Sequence, residues 1–98
     1  MAERIMMTPS EMYETANFMR NKLEAITSEM NALNNRVKDT ETRWEGKAKE
    51  AFVPMFEGAY SQVMQALTES INGLSQALDE SARAIEETDA SIASAFKG

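Results

Sequence analysis

Trp44-Glu45-Gly46 stands near the middle of the chain and is flanked on both sides by long stretches whose apolar residues repeat at helical spacing. Upstream, Asn34-Asn35 and the polar run Lys38-Asp39-Thr40-Glu41-Thr42-Arg43 lower helix preference, because Asn, Asp and Thr side chains compete for backbone hydrogen bonds. Gly46 then offers the left-handed conformation favoured at the C-terminus of a helix. A reversal at this point makes the chain a helix-turn-helix hairpin, with helix 1 predicted at about 8–42, the turn at 43–47 and helix 2 at about 48–95.

Working outward toward the N-terminus, Met12, Ala16, Met19, Leu23, Ile26, Met30, Leu33 and Val37 follow one another in steps of three and four, continued by Thr40 and Trp44. That is a heptad seam, with the spacing of a gentle left-handed coil. Its start is marked by Thr8-Pro9-Ser10-Glu11: Thr8 can cap, Pro9 needs no donor at the first helical position, and Glu11 can complete a capping box. A second row, Phe18, Ala25 and Ala32, runs beside the seam at intervals of seven and reads as a contact surface for another helix.

Toward the C-terminus the row is Ala48, Phe52, Phe56, Tyr60, Val63, Leu67, Ile71, Leu74, Leu78, Ala82, Ile85, Ile92 and Phe96. A parallel row of Met64, Ile71, Leu78, Ile85 and Ile92 widens the apolar face beyond what one partner helix covers. Two residues interrupt the pattern. Pro54 either sits in the first turn of a helix beginning near Ala51 or kinks a longer one. Asn72-Gly73 is a turn dipeptide, yet Leu67, Ile71, Leu74 and Leu78 keep helical phase across it, so it reads as a tolerated glycine, with a three-helix chain as the alternative.

At a rise of about 1.5 Å per residue, helix 2 overhangs helix 1 and leaves Ile85, Ile92 and Phe96 without cover from its own hairpin. The expected solution is two antiparallel hairpins forming a four-helix bundle. Phe18, Leu23, Ile26, Leu33, Phe56, Val63, Leu67, Ile71, Leu74 and Leu78 supply its interfaces. The fold class is all-α, with residues 1–98 as one helical-hairpin domain.

Composition narrows the function. The 98 residues include no cysteine and no histidine, which removes thiolate and imidazole chemistry, disulfides and the commonest transition-metal ligands. No catalytic, cofactor-binding or metal site is expected, and Glu45 and Glu50 read as ordinary surface carboxylates. Residues 1–43 carry 6 basic and 7 acidic groups and residues 44–98 carry 4 and 9, giving the net −6. An acidic second half argues against a nucleic-acid partner and, at neutral pH, against an anionic membrane. No basic start leads into an apolar signal-peptide core, and the apolar run around Ala51–Phe56 is far shorter than the roughly 20 residues of a membrane span.

A chain of this length with two helices and a central Trp-X-Gly resembles the WXG-100 family, the small substrates of type VII secretion related to the early secreted antigenic target. Ala48, Ala51-Phe52 and Phe56 resemble the family's small and aromatic positions after the turn. The resemblance implies a non-enzymatic protein, secreted without a cleaved signal peptide as a folded dimer. It implies a signal made of the Trp44, Glu45, Gly46 turn of one chain and a C-terminal tail of the other, read by the secretion ATPase. The Tyr-X-X-X-Asp/Glu form of that tail is absent, since Asn17 and Met64 stand four residues beyond Tyr13 and Tyr60. The form of homodimeric members is matched by Ile85, Asp89, Ile92 and Phe96. An unlike homologue or a co-secreted effector are the further partners implied. Ile85, Ile92 and Phe96 also fit a purely structural core role, and Trp44 that of a lid on the hairpin end. The alternative function is a cytosolic helical-bundle adaptor or chaperone, its eight methionines an adaptable surface.

Overall fold

A computed structural model describes residues 7–96 and consists of two α-helices, α1 (Pro9–Glu41) and α2 (Lys47–Phe96). The capping box forms as the sequence reads: the Glu11 amide donates to Thr8 Oγ1 at 3.1 Å and the Thr8 amide donates to the Glu11 carboxylate at 3.3 Å. Two orphan donors at the start of α1 are thereby satisfied.

The end of α1 is closed without the glycine. The Thr42 amide bonds to the Lys38 carbonyl, and tighter bonds from Arg43 to Thr40 and from Trp44 to Glu41 complete the last turn. The Thr42 hydroxyl donates to the Asp39 carbonyl at 2.7 Å, supplying a further partner to the orphaned carbonyls there. Gly46 does adopt a positive φ, 111°. Its role differs from the sequence expectation, because its carbonyl accepts the Glu50 amide and so opens α2 instead of terminating α1.

α2 starts at Lys47, so Pro54 lies within the helix and not in its first turn, which corrects the reading that began it near Ala51. The missing N–H of Pro54 leaves the Glu50 carbonyl without its usual helical donor. Across Gly73 the helix is unbroken, and the three-helix alternative is set aside. A side chain there would meet nothing within 4 Å, so no close helix approach requires the glycine.

The helices fall into two compact units, one uniting residues up to Asn21 with those from Ile71 onward, the other the continuous stretch Lys22–Ser70. The first unit holds all the buried side chains among the described residues: Met12, Ala16, Ala82 and Ser75. Ser75 is sealed because its hydroxyl donates back to the Asn72 carbonyl at 3.1 Å. Two polar pins join the helices beside this core. The Tyr13 phenol donates to the Glu86 carboxylate at 2.6 Å, and Arg20 pairs with Asp79.

The second unit is held by half-buried side chains. On α1 these are Leu23, Ile26, Met30 and Val37, and on α2 they are Val53, Phe56, Tyr60, Met64 and Leu67. Leu33 and Thr40, expected in the α1 seam, are exposed; Asn34 and Glu41 take the inward steps. On α2 the expected row divides in the same manner. Phe52, Val63, Leu74 and Ile92 are exposed, while Phe56, Leu67, Ile71, Leu78 and Ile85 turn toward α1.

Candidate functional site

The turn is built around an aromatic ladder. Trp44 lies 5.6 Å from Phe52 between ring centroids, Phe52 lies 6.0 Å from Phe56, and Phe56 lies 5.8 Å from Tyr60. Steps of four on α2 stack the last three rings on one face, and Trp44 reaches them from the turn. Tyr60 anchors the far end, donating its phenol to the Asn31 side chain at 3.3 Å. Trp44 is half-buried and Glu45 exposed, so the indole is fixed against α2 while its neighbour faces water.

Beside the indole lies an open cleft of about 460 Å³. Trp44, Val53 and Pro54 supply its apolar lining, and Glu41, Glu45, Lys49 and Glu50 its charged groups. Sequence reading singled out Trp44, Glu45 and Gly46 but not Val53, Pro54 or Lys49. Lys49, Val53 and Pro54 stand three, seven and eight residues after Gly46, which places them on one helix face and is the signal that identifies them. The cleft thus joins an apolar floor to three carboxylates and one lysine.

The tail of α2 belongs to the first unit. Ile85 is half-buried, whereas Asp89 and Ile92 are exposed, Ile92 at 51%. Ala84, Ile85, Thr88 and Asp89 outline a shallow depression. Phe96 ends the helix, and its side chain lies outside the described residues. Met1 to Met6, where the sequence reading found no signal-peptide core, also lie outside them.

Of the remaining interface candidates, Leu23, Ile26, Phe56, Leu67, Ile71 and Leu78 are half-buried within the hairpin, and Phe18, Leu33, Val63 and Leu74 are exposed. Phe18 is 60% exposed and Leu74 57%. The pins Tyr13–Glu86 and Arg20–Asp79 were not legible as pairs, since each spans most of the chain and depends on how α1 and α2 are aligned. Glu86 and the desolvation around it hold the Tyr13 phenol above its usual 10.0. Among the described residues no cluster of carboxylates is disposed to hold a metal, and no helix is long and apolar enough to cross a membrane.

The same arrangement recurs in known proteins. The chain is similar to protein YukE of Bacillus subtilis, 28% identical over 98 residues and covering all of both chains. Its fold resembles EsxA of Geobacillus thermodenitrificans, with 27% identity and a TM-score of 0.74 over 95% of this chain and 99% of that one. It also resembles a secreted protein EsxB from Bacillus anthracis, with 29% identity and a TM-score of 0.65 over 91% and 99%. Residues 4–90 match the family described as proteins of 100 residues with WXG. With a two-helix hairpin, Trp44-Glu45-Gly46 at its turn and a match over nearly its whole length, this chain belongs to the WXG100 family.

Proposed function

We propose that this protein is a non-enzymatic substrate or adaptor of a type VII secretion system, exported without a cleaved signal peptide as a folded dimer of helical hairpins. Its recognised surfaces are the Trp44-Glu45-Gly46 turn and the Ile85, Asp89, Ile92 and Phe96 tail, and its reader is the secretion ATPase. A co-secreted effector is a further partner on this reading.

The observation that carries the proposal is the thinness of the hairpin's own core. Among the described residues only Met12, Ala16 and Ala82 are buried apolar residues, while Phe18, Leu33, Phe52, Met55, Val63, Leu74 and Ile92 stay exposed. Folding must offset roughly 1–2 kcal/mol of backbone entropy per residue, which so small a core does not do alone. Association through the exposed residues completes it. Asp89 supports the signal role: it is exposed, and no hydrogen bond or ion pair is found for its side chain among the described residues.

The test is export from a Gram-positive host carrying a type VII apparatus. Asp89→Ala and Trp44→Ala should leave helicity and the dimer mass nearly unchanged while the protein accumulates in cells. Normal export of both variants sinks the signal assignment. Retention of the unaltered protein in the cell lysate sinks export itself.

A further inference from the structure

Pro54 and Gly58 weaken two successive turns of α2. Pro54 lies beyond the first turn, where proline is tolerated, and its ring removes the donor that the Glu50 carbonyl would otherwise receive. Gly58 stands one turn further on. Its φ is not positive and a side chain there would meet nothing within 4 Å, so neither a turn nor a close approach calls for the glycine. Its effect is to lower helix stability relative to alanine, through the larger backbone entropy lost on folding.

Tertiary contacts do not make up this deficit. Within residues 47–59 no side chain is buried; Lys49, Val53 and Phe56 are half-buried, and Met55 is 68% exposed. No side-chain hydrogen bond or ion pair is found for this stretch among the described residues, and the first such tie to α1 is that of Tyr60 with Asn31. Ring contacts along Trp44, Phe52, Phe56 and Tyr60 are what hold it. Gly73 is as open as Gly58, but its surroundings differ: Ser75 is sealed by its bond to the Asn72 carbonyl, and Asp79 pairs with Arg20. Sparse burial and exposed helical hydrogen bonds mark a segment that opens by itself.

We infer that residues 47–59 form a conformational switch that unwinds on its own, on the microsecond-to-second scale of local unfolding, while α1 and the remainder of α2 stay helical. Unwinding parts Phe52 from Trp44 and dismantles the cleft that Trp44, Val53 and Pro54 line. The turn therefore has two states, one with the indole held and the cleft formed, the other with the indole released and the cleft gone. A ligand that fits the cleft favours the first, and a ligand that takes the released indole favours the second. The switch lies in the turn proposed above as a recognised surface, and it operates whether or not that surface is read for export.

Amide hydrogen exchange of the full-length protein tests it. After correction for intrinsic rates, residues 51–59 should exchange about tenfold or more faster than residues 75–82. Gly58→Ala should slow exchange of 51–59 about fivefold and Pro54→Ala about a hundredfold, with 75–82 unchanged. Both substitutions favour helix, so both variants keep the fold. Gly73→Ala, the control, should leave 51–59 as in the unaltered protein. Equal protection of the two stretches overturns the inference. Slowing by Gly58→Ala and Gly73→Ala that is uniform along α2 also overturns it, because the opening would then be global.

Discussion

The Trp44 indole is tilted 48° to the Phe52 ring at a centroid separation of 5.6 Å, which ties the turn to the second turn of α2. Because this is the only tryptophan, its fluorescence reports the surroundings of the turn. Phe52→Ala should shift Trp44 emission to longer wavelength and lower stability by about 0.5–1.5 kcal/mol, the worth of an aromatic pair. An unchanged spectrum would show that the indole is held by something other than the ladder.

Ala16 and Ala82 have no exposed surface at all. Enlarging either to Leu forces the helices apart, so Ala16→Leu and Ala82→Leu should each cost about 1–3 kcal/mol in urea unfolding at fixed protein concentration. Ala51→Leu, at an exposed position of α2, serves as the control and should be nearly neutral.

At Gly46 the demand is conformational, since a Cβ would touch nothing within 4 Å while φ is +111°. Gly46→Ala should therefore destabilise by about 1–3 kcal/mol through backbone strain. D-alanine introduced there by chemical ligation should recover the loss. Equal stability of the L- and D-forms would remove the strain account.

The Tyr13–Glu86 pin has a pH signature. Glu86 raises the Tyr13 pKa above 10.0 in the folded state, so the bond's contribution is complete below about pH 10 and is lost as pH rises through the folded value. Thermal melts between pH 8 and 11 should show a steeper alkaline loss in the unaltered protein than in Tyr13→Phe. Parallel losses would assign the alkaline effect to other groups.

Legibility from sequence was high where the determinants are local. Thr8-Pro9-Ser10-Glu11 specifies its capping box because the partners lie three residues apart, and Trp44-Glu45-Gly46 marks the reversal because only a glycine accepts the φ required there. Helical periodicity establishes two long amphipathic helices in the same way, since every side chain's direction follows from its place in the turn.

Tertiary structure decided which part of each apolar face is spent inside the hairpin. A wide stripe can rotate by a few tens of degrees against its partner and still bury apolar surface, so spacing does not choose between Leu33 and Asn34, or between Val63 and Met64, as the inward step. The tight sites at Met12, Ala16, Ser75 and Ala82, with the Arg20–Asp79 and Tyr13–Glu86 pins, select that rotation by shape and charge across the pair. Leu74 and Ile92, in the same unit, are thereby turned outward. Sequence by itself determined two helices and a turn; only the packing of one against the other decided which face was left for a partner.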